Sequence, residues 1–257
     1  MSIDKRTLES YNNYARKWAE RMRSGKNSAH DLLEKPAMEK LLPDLRGKKI
    51  LCVGCGSGEE CGRLLELGAN EIVGVDVSDK LLEIARESYP GVKFIEADIE
   101  TLDLESASID LVYSSLVMHY MPDWTIALSN IRRILKPGAH FIFSTHHPLF
   151  NSLEKTKEND LSTRLYGVSW KNNRLNRVYG DYYSPRLIED VWFGGEFEVN
   201  YFHRPLENLI ADILAADFRI AGFYEPRPVE AARNDDPDIY GVHTKLPLFL
   251  IFDLVKD

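Results

Sequence analysis

The chain has 257 residues, 44% hydrophobic and 28% charged, with a net charge of −8 and a pI near 5.5. That composition supports one large core and excludes wholesale disorder. The acidic balance disfavours a nucleic-acid partner, no apolar run approaches the ~18 residues of a membrane span, and MSIDKRTLES carries no signal-peptide h-region, so a soluble cytoplasmic protein is expected. The basic stretch Lys171, Arg174, Arg177 and Arg186 reads as a solvated face.

Residues 6–22 (RTLESYNNYARKWAERM) read as a helix, with Tyr11, Tyr14 (or Ala15) and Trp18 on one face. The plain reading is a packing stripe. Lys49 to Val53 is a short apolar run ending at glycine, which predicts a buried parallel strand. Residues 59–67 then predict a helix that stops at Gly68. Cys52, Cys55 and Cys61, the only cysteines, fall on the strand, the turn and the helix. One close pair and a straggler do not make the four-ligand set of a structural zinc site, so no metal is expected. Gly54, Gly56 and Gly58 instead suggest a bare backbone turn, where a ligand can meet the free N–H groups at a helix start.

The dinucleotide fingerprint G-x-G-x-x-G would need a glycine where Glu59 stands. A carboxylate there conflicts with a pyrophosphate but not with a ligand lacking phosphates. The next strand, 71–75, ends at Asp76, 18 residues past Gly58. This is close to the ~20 expected of a ribose-binding acid. Ser78 predicts the cap of a helix with Leu81, Leu82 and Ala85 on its apolar face, ended by Pro90-Gly91. A third strand, 92–97, ends at Asp98, whose carboxylate can accept from the adenine amine. Two acids, each just past a strand, point to adenosine.

A fourth strand covers 109–114, and Met121-Pro122-Asp123 opens a helix with Ala127, Leu128, Ile131, Ile134 and Leu135 on one face. Lys136-Pro137-Gly138 is expected to close it before a fifth strand at 141–144.

Four stretches now stand in order: Val53 to Gly58, Gly74 to Ser78, Glu96 to Ile99, and Ile134 to Gly138 leading into strand five. In this the chain resembles the S-adenosylmethionine-dependent methyltransferases with the Rossmann-like fold. The resemblance implies S-adenosylmethionine as methyl donor and S-adenosylhomocysteine as product. It implies that Gly54, Cys55 and Gly56 hold the methionine part, Asp76 the ribose, and Val77, Asp98 and Ile99 the adenine. Ser114 to Leu116 and His119 would line the sulfonium side. Tyr11 and Trp18 match the positions of a leading lid helix in related enzymes.

Residues 150–204 are polar and rich in aromatics, with turn signals at Asn172-Asn173 and Gly194-Gly195. They predict an insertion of hairpins, serving either as a cap on the acceptor site or as an interface or packed decoration. A helix at 206–218 and strands at 219–224 and 248–255 complete the expected fold. That fold is a single α/β domain over 1–257, a doubly wound, mostly parallel sheet of seven strands with the last antiparallel. Helices cover both faces, a helical lid spans 1–45, and the β-rich insertion follows strand five.

Methyl transfer from a sulfonium chiefly requires positioning, and a base only if the nucleophile arrives protonated. His119, His146, His147 and His203 are candidates. His147, before Pro148 at the end of strand five, is expected to face the acceptor. No Asn/Asp-Pro-Pro-Tyr motif follows strand four, and with the acidic charge this favours a small-molecule acceptor to a monomer or homodimer. A nicotinamide-dependent oxidoreductase and a non-catalytic S-adenosylmethionine-binding protein are the competing readings.

Overall fold

The computed structural model describes residues 3–25, 27–158 and 161–257. Residues 1, 2, 26, 159 and 160, which belong to the ranges assigned above to lid and insertion, lie outside the described residues.

Helix α1 (Lys5–Arg23) starts where the Asp4 side chain accepts from the N–H groups of Arg6 and Thr7. A π-type turn at His30–Glu34 leads into α2 (Lys35–Glu39). The alternating core follows as β1 (Lys49–Val53), α3 (Glu59–Glu66), β2 (Glu71–Asp76), α4 (Asp79–Ser88), β3 (Lys93–Glu96) and β4 (Ile109–Ser114). As expected, Ser78 caps α4, accepting from the N–H of Leu81. A 3-10 turn at Met118–Tyr120 precedes α5 (Thr125–Ile134) and β5 (Leu135–His146). Then come α6 (Pro148–Ser152), β6 (Glu154–Glu158), β7 (Leu161–Leu165), β8 (Gly167–Lys171), β9 (Arg174–Tyr179), β10 (Arg186–Trp192) and β11 (Phe197–His203). The chain closes with α7 (Leu206–Ala215), β12 (Arg219–Tyr224), α8 (Ala232–Asp235), α9 (Pro237–His243) and β13 (Phe249–Val255).

The main sheet has seven strands in the order β3-β2-β1-β4-β5-β13-β12. The first five run parallel, and β13 lies antiparallel to both of its neighbours. Alternation along the strands builds a core on each face. Leu51, Val53, Val112, Phe141, Phe143 and Phe252 pack with α5 and α7 on one side. Ile50, Cys52, Leu111, Ile142 and Ile251 pack with Met38, Cys61, Leu64 and Leu82 on the other.

Several boundaries differ from expectation: α7 ends at Ala215 rather than at 218, and one difference moves a motif into another element. Lys136-Pro137-Gly138 lies within β5, not at a helix end. Helix α5 stops at Ile134, and the extra residues form a bulge between the pairs Ile109–Leu135 and Leu111–His140. Gly138, at φ +75°, allows it, and its N–H is taken by the carbonyl of Lys256 at 2.6 Å.

The insertion after β5 forms three two-stranded hairpins, β6–β7, β8–β9 and β10–β11. Asn172 and Asn173, both at positive φ, make the β8–β9 turn. Phe197, Val199 and Tyr201 of β11 form a third cluster with Tyr120, against which Tyr11, Tyr14 and Trp18 of α1 pack. The aromatic stripe of α1 therefore packs against the insertion.

Phe252 is fully buried on the antiparallel strand and stacks on Phe143 at 5.3 Å. Phe252→Ala is expected to cost about 3–5 kcal/mol. Urea unfolding measures this. A loss under about 1 kcal/mol would mean that β13 lies outside the cooperative core.

Candidate active site

The carboxyl ends of β2, β1, β4 and β5 open into one cavity of about 440 Å³. This is the size range of small-molecule sites, at the point where the strand order reverses between β1 and β4.

The glycine loop forms one wall. Gly54 lies at φ +64°, and a Cβ there would stand 2.1 Å from Val117 Cγ2. Gly58, at φ +93°, leaves room for the Tyr89 ring, 2.7 Å from where its Cβ would be. These two contacts set the loop against the segment after β4 and against the end of α4. Between them, the N–H of Gly56 donates to Asp76 Oδ2 at 2.8 Å, and Ser78 N–H donates to Asp76 Oδ1 at 2.9 Å. Burial pushes the Asp76 carboxyl up, while the N–H groups of Ser78, Gly56 and Val77 work against this. The carboxylate keeps further acceptor capacity.

Of the residues singled out from the sequence, Tyr11, Gly54, Cys55, Gly56, Asp76, Val77, Ile99, Leu116 and His119 line the cavity. Asp98 does not, although Ala97 and Ile99 on either side of it do. Its Oδ1 accepts from the N–H of Glu100 at 3.0 Å, so it caps its own turn. Ser114 is fully buried and also off the lining. The three thiols are buried, and burial holds Cys55 up at about 11.

His147 is a correction. It does not line the cavity. Its Nδ1 accepts from the N–H of Leu149 at 3.1 Å, and its Nε2 meets Glu225 Oε1 at 2.9 Å. With both nitrogens engaged, it is the cap of α6. The preceding residue, His146, faces the cavity and stacks on His119 with ring centroids 3.7 Å apart and planes 7° from parallel. His119 is 4% exposed, and among the described residues neither of its ring nitrogens has a hydrogen-bond partner; nor does His146 Nδ1. Burial, then His146, pushes His119 well below the ordinary imidazole range, and burial lowers His146 to about 4. His203, the remaining candidate, meets the carbonyl of Tyr182 at 2.8 Å and lies off the cavity.

Helix α1 spans the opening. At one end, Asn200 of β11 donates its N–H to Thr7 Oγ1 at 2.8 Å and its amide to Asp4 at 2.9 Å. At the other, Arg23 pairs with Glu59 at 2.7 Å, and near the middle Ser78 Oγ donates to Asn12 Oδ1 at 2.5 Å. Mid-helix, Tyr11 and Tyr120 share a 2.6 Å hydrogen bond between their hydroxyls. Of the inserted strands, β7, β10 and β11 reach the cavity through Arg164, Asp190, Trp192 and Tyr201, while β8 and β9 do not.

Sequence reading missed a buried polar cluster beside the glycine loop. His30 Nε2 lies 3.4 Å from Glu34 and 3.3 Å from Glu60. Glu34 Oε1 accepts from Ser144 Oγ at 2.5 Å and Ser115 Oγ at 2.9 Å. Burial would lower His30, but Asp31, Glu60 and Glu34 outweigh it and hold the ring up at about 10. The i,i+4 spacing of His30 and Glu34 was the only local signal.

Comparison with known proteins places these features. Residues 51–143 match the family model described as a methyltransferase domain. An S-adenosylmethionine-dependent methyltransferase from Mesorhizobium loti superposes with a TM-score of 0.69 at 27% identity, covering 89% of this chain and 98% of that one. An uncharacterized protein of Haemophilus influenzae is 30% identical over 80% of this chain and 81% of its own. The malonyl-[acyl-carrier protein] O-methyltransferase of Erwinia pyrifoliae is 33% identical over 45% of either chain. The chain belongs to the S-adenosylmethionine-dependent methyltransferases. Its methyl donor is S-adenosylmethionine and its product S-adenosylhomocysteine. The glycine loop suits this donor: Glu59 begins α3 where a phosphate would be repelled, and the donor carries none.

The cationic His30 gives a pH test. Its folded value lies above the ordinary 6.5, so the native state keeps a proton that the unfolded chain has lost. The stabilisation is fully present below about pH 6.5 and is lost as pH rises through about 10. Unfolding free energy should fall across that window, and less steeply in His30→Gln. Parallel profiles for the two proteins would show that His30 carries no proton linkage.

Proposed function

We propose that this methyltransferase acts on a small organic molecule held inside the cavity. The observation that supports this is the division of one open-mouthed cavity along the sheet. Over β2 and β1 stand the backbone loop, Asp76, Val77 and Ile99. Over β4 and β5 stand Leu116, His119 and His146, facing Trp192 and Tyr201 from the insertion.

When bound, S-adenosylmethionine supplies a methyl group already activated by its sulfonium. The residues of this chain position, cover and exclude water. Gly54, Cys55 and Gly56 present backbone to the methionine part. Asp76, itself fixed by the N–H groups of Gly56 and Ser78, accepts from the ribose hydroxyls. Val77 and Ile99 flank the adenine, and Leu116 borders the reacting end. Tyr11, held to Tyr120, closes the space above. Asp98 and Ser114 support the loop and the core. The range 1–45 acts as the lid, and within 150–204 the β10–β11 hairpin acts as the acceptor cap.

A binding protein without catalysis would have its cap side chains packed into the acceptor space. The insertion lines that space and leaves it open, which favours the enzyme.

Calorimetry with S-adenosylhomocysteine tests the donor half. Asp76→Ala should weaken binding by about 1.5–3 kcal/mol, roughly 10- to 150-fold. NADH should give no heat in either protein. Unchanged affinity in the variant would remove Asp76 from the donor site, and NADH binding would count against the whole assignment of the loop.

A further inference from the structure

We infer that the β8–β9 hairpin is a membrane-docking element, which lays its apolar face on the surface of a lipid bilayer carrying anionic headgroups. The inference goes beyond the methyl-transfer reading and does not depend on it.

The hairpin has one apolar face left to water. Residues opposite each other in an antiparallel pair share a face. Val168 stands opposite Val178 and Trp170 opposite Leu175, while Ser169 and Arg177 pair on the other side. Val168 is 54% exposed, Val178 54%, Trp170 65% and Leu175 56%. The other face is polar and tied to the body: Asn176 donates to Ser169 Oγ at 3.1 Å, and Arg177 pairs with Glu154 of β6. Among the described residues, none of the three buried clusters takes a member from β8 or β9. A two-stranded ribbon is marginal in water unless a face is covered. Four large apolar side chains side by side mark a contact surface, where single exposed ones would not.

Charge selects what covers it. Residues 161–180 hold four basic residues, Arg164, Lys171, Arg174 and Arg177, and no acidic one, in a chain of net charge −8. Arg164 lies over the Phe150 ring, and Arg177 has its carboxylate. Lys171 and Arg174 pair across the strands beside the Asn172-Asn173 turn. Both are exposed. An anionic bilayer attracts this segment and repels the acidic remainder, so charge alone turns the molecule hairpin-first. Trp170 then enters the headgroup boundary, a layer that suits an apolar ring with a polar N–H, and the long stems of Lys171 and Arg174 carry their charges to the headgroups.

Other occupants fit less well. A two-fold dimer through this face would set the patch against itself, with no acid between residues 161 and 180 to offset its cations. A nucleic-acid strand would stack its bases on aromatic rings, and of the four apolar side chains one, Trp170, is aromatic. A lipid surface needs no matching pocket. The contact is peripheral, since among the described residues no helix is long and apolar enough to cross a membrane. It also lies close to the site: Arg164 of β7 lines the cavity, and β8 begins three residues later, at most ~11 Å of chain.

The test floats the full chain with vesicles of phosphatidylcholine alone, and of phosphatidylcholine with phosphatidylglycerol, at low salt. Binding should be roughly tenfold tighter or more on the anionic vesicles, and weaker in about 0.5 M NaCl. Lys171→Gln combined with Arg174→Gln should lose about 30-fold. Trp170→Ser combined with Leu175→Ser should lose roughly tenfold or more. Both double variants should keep the unfolding midpoint and the S-adenosylhomocysteine affinity of the wild type. Brominated phosphatidylcholine in the anionic vesicles should quench a part of the tryptophan fluorescence that Trp170→Phe lacks. Absence of vesicle binding, equal binding to neutral and anionic vesicles, or undiminished binding in either double variant would overturn the inference. So would a dimer in sedimentation velocity that Trp170→Ser with Leu175→Ser abolishes, which gives the face to a second copy, or binding of single-stranded DNA tighter than of vesicles.

Discussion

Everything at the site hangs on one hydrogen bond, from the N–H of Gly56 to Asp76 Oδ2. It ties the end of β1 to the end of β2 and fixes a carboxylate at the mouth of the cavity. The bond can form only because the loop turns through left-handed backbone with no side chain in the way. At Gly54 the missing Cβ admits Val117, and through Val117 the segment that carries His119. At Gly58 it admits Tyr89 from the end of α4. The loop is thus a three-way joint as well as a surface for ligand. A side chain at Gly54 would push the segment after β4 away and disturb both halves of the cavity together.

The division of labour follows from the sheet. Parallel strands send all their carboxyl ends to one edge, and the reversal of order between β1 and β4 leaves a crevice there. In the proposed reading, strands β1 to β3 face the donor, while β4 and β5 face the acceptor. Helix α1 bridges the two, held to β11 at Thr7 and to the donor side at Asn12 and Arg23. Its aromatic stripe seals the gap by packing Tyr11 and Trp18 on Phe197. The helix and the β10–β11 hairpin share one small core.

The strands and the helices between them were legible because each depends on local pattern. Apolar runs ending in glycine or aspartate mark strands and their ligand-facing ends, and caps such as Ser78 mark helices. Asp98 was ambiguous from sequence because an acid past a strand serves equally well to accept from its own turn, as it does from the N–H of Glu100. The cluster of His30, Glu34, Glu60, Ser115 and Ser144 was invisible because it draws on distant segments of chain. The insertion showed its hairpins, through Asn172-Asn173, but not which of them reaches the cavity. That depends on tertiary docking, which put β10–β11 against α1 and left β8–β9 outside.

The two adjacent histidines show how finely position decides role. In β5 successive side chains alternate between faces, so Ser144 and His146 share a side, the first meeting Glu34 and the second meeting His119. One residue further the strand has ended, and His147 takes up the N-cap of α6 with both nitrogens occupied. Substituting His147 therefore removes a cap and a partner for Glu225, an effect on stability. His146 and His119 instead retain unmade hydrogen bonds at a cost of about 1–3 kcal/mol for each buried group.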